Sequence, residues 1–227
     1  MLILQINETA NMVTTQAADK LSLSFWELAI KGGWIMIPIL LLSVISVYIF
    51  IERFIAIRNA AKKDDNFMNN IKNYIIDGKI ENALTLCKSN PTPVARMIEK
   101  GIQRLGRPLN DVNAAIENVG KLELNKLEKG LATLATSAGA APMIGFLGTV
   151  IGMIRAFYDM ANAGNNIDIT LLSNGIYTAM VTTVAGLIVG ILAYLAYNML
   201  VARIEKVVYV MEANTMEFMD LLNEPAK

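Results

Sequence analysis

Three long apolar runs, at about 34–51, 131–157 and 176–201, interrupt an otherwise mixed chain, and each is long enough to cross a bilayer as a helix. The first has Trp34 and Tyr48 near its ends, where amphipathic aromatics favour the interface. Its Pro38 falls in the first turns, where a missing N–H does little harm. Glu52 and Arg53 are expected to close it abruptly. Ahead of it, residues 1–33 form a mostly polar segment. Ser24 and Glu27 there fit a capping box for a short helix at 25–31, ended by Gly32-Gly33, whose apolar side chains suit the lipid headgroup level.

Residues 52–130 alternate helical periods with breakers. Phe67, Ile71, Tyr74 and Ile75 keep one period up to Asp77-Gly78. Ile80, Ala83, Leu84 and Cys87 keep a second up to 89–93. Val94, Met97, Ile98, Gly101 and Ile102 make a third, ended near Gly106-Arg107-Pro108, and Asn110 or Asp111 is placed to cap a fourth. From about Val112 no obvious breaker precedes the second span, which predicts one continuous helix rising into the membrane. After the third span, the tail 202–227 carries Ile204, Val208, Met211, Thr215, Phe218 and Leu222 at heptad spacing, so this helix also outruns the bilayer. The pattern predicts an all-α integral membrane protein. It has three transmembrane helices, two of them extended into the cytoplasm, a helical domain at 52–130 and a short connection at 158–175.

Composition agrees: 54% of the 227 residues are hydrophobic and the mean hydropathy is +0.44, too apolar for an ordinary soluble domain of this size. Acidic and basic residues balance at 20 each, but 14 of the 20 Lys and Arg fall within 52–130, several just past the first span. The positive-inside rule then puts 52–130 and the C-terminus in the cytoplasm, with the N-terminus and the 158–175 connection outside. Histidine is absent and Cys87 is the sole cysteine. No metal cluster, phosphate-cradling loop or nucleophile–base set can be assembled, so neither an enzyme, a cofactor site nor a nucleic-acid site is expected.

The second and third runs hold no acid, Lys or His in their interiors, only small residues and hydroxyls, with Arg155 at the end of the first of them. Ala138, Ala141, Gly145, Gly148 and Gly152 share one helical face. Ala179, Thr183, Gly186, Gly190 and Ala193 share another. Each face contains a GxxxG, and such small-residue seams let helices approach closely in lipid, within one chain or between copies. Pro142 should kink the second span or free the carbonyl of Ala138, which Ser137 and nearby hydroxyls could serve. Counted from the middle of their spans, Thr149 and Thr183 both lie ~7 Å toward the outer side, which predicts a shared hydroxyl layer. Thr178 and Thr182 stand one turn apart on a neighbouring stripe. Such hydroxyls can relay a proton or hold water but cannot store a charge, and each can instead bond back to its own helix.

Ala141-Pro142-Met143-Ile144-Gly145-Phe146-Leu147-Gly148-Thr149-Val150-Ile151-Gly152-Met153 resembles the second-span signature of the MotA/TolQ/ExbB proton-channel family. Residues 176–198, ending Ala196-Tyr197-Asn198, resemble its third-span signature, and 32–38 with the Ile51-Glu52-Arg53-Phe54 exit are most similar to ExbB-like members. The resemblance implies a pentameric ring in the bacterial inner membrane. Spans two and three would line a pore around single-span ExbD-type helices, each bringing the membrane aspartate this chain lacks. It also implies energy transfer to a TonB-type protein for import across the outer membrane, or the envelope-maintenance role of TolQ; apart from the resemblance, the lack of a membrane carboxylate in this chain leaves a non-conducting membrane scaffold as an alternative. The family's two pore threonines map onto Thr149 and Thr183. Thr178 stands where many relatives hold a glutamate, so roles of that carboxylate do not transfer.

Overall fold

Apolar residues recurring every three to four positions wind the chain into helices, and no strand occurs among the described residues. The computed structural model describes residues 32–62, 66–162 and 169–223. A 3-10 turn at Gly33–Ile35 leads into α1 (Met36–Ala60). Then follow α2 (Phe67–Ile76), α3 (Ile80–Ser89), α4 (Pro93–Ile102), α5 (Leu109–Glu128), α6 (Leu131–Asn162) and α7 (Ile169–Asn223). Three helical stretches, Gly33–Ala60, Leu109–Asn162 and Leu172–Asn223, are long and apolar enough to cross a membrane. The expected helix at 25–31 lies outside the described residues.

The helix that carries the first apolar run continues past Glu52 and Arg53 to Ala60. The Arg53 guanidinium donates to the backbone carbonyl of Lys126 at 2.8 Å and to Glu52 at 2.5 Å, so the charge is satisfied while the residue is buried. The predicted continuous helix through 112–157 is interrupted: α5 ends at Glu128, and Gly130, at φ +83°, turns the chain before α6. This break leaves the last carbonyls of α5 without intrahelical partners, and Arg53 takes one of them. Gly130→Ala would force a Cβ into the left-handed region and should cost about 1 kcal/mol. Thermal unfolding measures this; an unchanged Tm would contradict it.

Pro108, rather than Asn110 or Asp111, precedes α5. Its fixed φ presets the first turn, and its carbonyl accepts from the N–H groups of Asp111 and Val112 at 2.9 and 3.3 Å. Helices also reclaim much of the connection expected at 158–175, since α6 extends to Asn162 and α7 begins at Ile169.

The chain divides into two units, Met1–Leu42 with Gly139–Gly190, and Ser43–Ala138 with Ile191–Lys227. In the second, Ile57, Ile71, Ile98, Ile116, Leu200 and Phe218 build one core fed by α1, α2, α4, α5 and α7. Thr92 caps α4 by accepting from the Ala95 N–H, with Pro93 at the first helical position. Along the heptad seam Ile204, Met211 and Phe218 are buried, and Val208, Thr215 and Leu222 are half-buried; off the seam, Val207 is buried too. Cys87 sits in this core. Burial, then the charge of Glu99, pushes its thiol up to about 12, which keeps it an unreactive apolar filler.

Candidate functional site

In the first unit, α6 and α7 meet backbone to backbone along the glycines singled out in the sequence. A Cβ placed on Gly186 would lie 2.5 Å from the Ala141 carbonyl oxygen and 3.0 Å from the Gly145 Cα. One on Gly145 would lie 2.9 Å from the Thr182 carbonyl oxygen, one on Gly152 would lie 2.9 Å from the Ala179 Cβ, and one on Gly148 would overlap the Thr182 side chain. The contact is within one chain. It extends beyond the two GxxxG motifs toward the Asn162 end of α6, because Gly175 abuts Ala156. Reading 158–175 as a connection hid that last pair. Gly190 is buried at the end of the unit.

The hydroxyls lie along this contact. Thr183 Oγ1 donates across to the Gly145 carbonyl at 3.0 Å. Thr182 is 1% exposed and donates to the Ala179 carbonyl at 2.8 Å, with a longer approach of 3.4 Å to the Gly145 carbonyl. Thr149, half-buried, donates to the Phe146 carbonyl of its own helix at 2.6 Å. Thr178 is half-buried a turn outward of Thr182. Since Thr183 reaches Gly145, four residues inward of Thr149, the expected single layer is staggered by ~6 Å. Thr182, which packs on Gly148, is the hydroxyl level with Thr149. Donation to a carbonyl leaves each of these oxygens able to accept a hydrogen bond from water or a protonated carboxyl. α6 continues through Pro142, and Ser137 serves the Thr133 carbonyl at 2.9 Å rather than that of Ala138.

A charged cluster that the periodicity did not point to lies in the second unit. The Glu123 carboxylate, 3% exposed, accepts from Arg96 at 2.5 Å and Lys126 at 2.6 Å. Burial pushes this carboxyl up, but the two hydrogen bonds and the two positive charges outweigh burial and hold it below the usual carboxylate range. The i,i+3 pair of Glu123 and Lys126 was visible in the sequence; nothing there marked Arg96 as its third member.

Two antiparallel helices, apolar and packed through glycine, thus carry hydroxyls and, among the described residues, no acidic or lysine side chain along their contact. Residues 89–213, more than half of the chain, match the MotA/TolQ/ExbB proton channel family. The chain belongs to this family. Among its relatives is an ExbB homolog of Methanothermobacter thermautotrophicus, 35% identical over half of this chain but only 39% of the archaeal protein. The ExbB-like protein 1 of Synechocystis sp. is 26% identical over 76% of this chain and 69% of its own length. The TolQ protein of the Tol-Pal system of Pseudomonas aeruginosa is 29% identical over 82% and 86%. The matched region includes α6 and all of the α7 segment that packs on it.

Proposed function

We propose that this chain is an ExbB-type, multi-pass subunit of a proton-driven complex in the bacterial inner membrane, with its N-terminus periplasmic and its C-terminus cytoplasmic. Copies of the chain, five by family resemblance, would surround single-span ExbD-type helices. Each partner helix would contribute the aspartate that carries the proton, and the work would pass to a TonB-type protein to energise import across the outer membrane. The observation that carries this reading is the pairing of family membership with a glycine-packed α6–α7 contact that holds Thr149, Thr182 and Thr183 but no proton carrier of its own. The excess of Lys and Arg in 52–130 supports the orientation. The chain does no bond-making chemistry in this account.

Thr183→Val is expected to cut proton-driven activity by about tenfold, the worth of roughly 1.4 kcal/mol of hydrogen bonding, while Thr183→Ser retains it. Thr149→Val should weaken activity in the same direction. Uptake energised by the complex in cells gives the readout, and native mass reports whether assembly survives. Full activity in both valine variants would remove the hydroxyl pathway from the account.

A TolQ-type role is the second reading. Its support is the likeness to the Pseudomonas aeruginosa TolQ protein over 82% of this chain. Co-purification with a TonB-type protein would favour the first role.

A further inference from the structure

The second unit contains a cleft of about 500 Å³ that the proposed proton path does not use. Its walls come from the last turns of α1 (Ala56, Asn59), Lys62 two residues beyond that helix, the start of α4 (Thr92, Arg96) and the last turns of α5 (Glu123, Lys126). Among the described residues three cations and one carboxylate line it, a net charge of about +2. The Glu123 carboxylate, shared between Arg96 and Lys126, offsets one of the three charges, and it engages only one of the three Lys126 ammonium protons. Arg96 also donates to the Pro91 carbonyl at 2.9 Å, which fixes its guanidinium at the cleft wall, and its Nε has no acceptor among the described residues. The N-terminus of α4, capped by Thr92, opens into the same wall and adds its positive dipole end.

The depth of this cleft is set by α1. Ile51 and Ile55 remain more than half exposed, so the apolar outer face of the helix continues to Ile55. Ala56 and Asn59 follow on α1 within four residues, ~6 Å along the axis, with Lys62 just past the helix end, which overlaps the headgroup layer ~5–7 Å deep beneath the hydrocarbon. A cleft of this volume with three cations at its wall, opening where phosphate groups lie, is matched in charge to a phosphoryl anion.

We infer that the cleft between α1, α4 and α5 is a binding site for a phosphoryl group, with Lys62, Arg96 and Lys126 as its cations. The phosphoryl group can belong to an anionic phospholipid headgroup or to free phosphate, and the two sources are separable by experiment. The purified full chain in neutral detergent is titrated with phosphatidylglycerol, with phosphatidylcholine, or with inorganic phosphate, and bound ligand is read by native mass spectrometry. Lys62→Gln, which touches neither Glu123 nor Arg53, is expected to weaken retention of the anion by about fivefold. Arg58→Gln, an equal charge change on an exposed residue four positions earlier and outside the cleft, should leave it unchanged. Preference for phosphatidylglycerol over phosphatidylcholine that millimolar phosphate does not displace assigns the site to lipid. Displacement by phosphate, or binding of phosphate alone, assigns it to a soluble anion. The inference fails if neither phosphatidylglycerol nor phosphate binds the unaltered protein more tightly than Lys62→Gln, or if Arg58→Gln lowers binding as much.

Discussion

Gly186→Ala is expected to destabilise the protein by about 2–3 kcal/mol, and Gly186→Leu by more, although both replace glycine with a better helix former. The added Cβ would stand 2.5 Å from the Ala141 carbonyl oxygen, a backbone atom of the facing helix, so no side-chain rotation relieves the clash. The helices must separate, and separation lengthens the Thr183 to Gly145 hydrogen bond, now 3.0 Å. Gly145→Ala should act likewise, against the Thr182 carbonyl oxygen at 2.9 Å. Gly148→Leu should be severe, because the buried Thr182 side chain it meets is fixed by its bond to the Ala179 carbonyl. Gly139 provides the internal control. A Cβ there meets nothing within 4 Å, and Gly139→Ala should be neutral or stabilising by up to about 1 kcal/mol. Thermal unfolding in detergent gives the ranking, and native mass reports the loss of assembly that follows when the pair opens. Equal melting temperatures for Gly186→Ala and Gly139→Ala would show that the seam is not tight.

Glu123→Ala should destabilise the second unit by about 2 kcal/mol, less than a fully buried ion pair because Arg96 and Lys126 keep partial access to water. The loss has two sources: the hydrogen bonds disappear, and Arg96 is left held at the cleft wall beside an empty acceptor position. Glu123→Gln should recover part of the loss, since its amide oxygen still accepts one hydrogen bond. The same carboxylate gives a pH signature. Its folded pKa is lowered, so its contribution is fully present above the ordinary carboxylate pKa and is lost as pH falls through the lower folded value. Wild-type stability should therefore hold from neutral pH down to about pH 4 and decline below, and Glu123→Gln should flatten that decline. An identical acid profile in the two proteins would show that Glu123 does not carry it.

What the sequence made legible, and what it concealed, follows from the range of the interactions. The seam glycines were readable because close helix packing in lipid needs small residues at steps of three and four, a local pattern. Gly120 and Gly130 show the limit. Both sit in the same helical period, yet Gly120 is buried in the middle of α5 against Met97, whereas Gly130 takes φ +83° and ends the helix run. Nothing in their immediate neighbours separates the two. The difference is tertiary: Arg53, 73 residues before Lys126, satisfies a carbonyl that the break exposes. For the same reason the burial of Arg53, on a helix that continues past the apolar run to Ala60, was not legible in the sequence. Glu123 with Lys126 had the spacing of an ordinary surface pair. Only Arg96, 27 residues away and on another helix, makes it a buried cluster. The hydroxyl layer was legible in residue type and rough depth, but its stagger depends on the register between α6 and α7, which no single helix contains.

Proton flux into liposomes tests the central claim most directly. The purified chain would be reconstituted alone, with a single-span partner carrying its membrane aspartate, and with the same partner bearing asparagine there. The account predicts a closed membrane with the chain alone and with the asparagine partner, and flux only when the intact aspartate is present. Appreciable flux from this chain by itself, or equal flux with aspartate and asparagine, would contradict it.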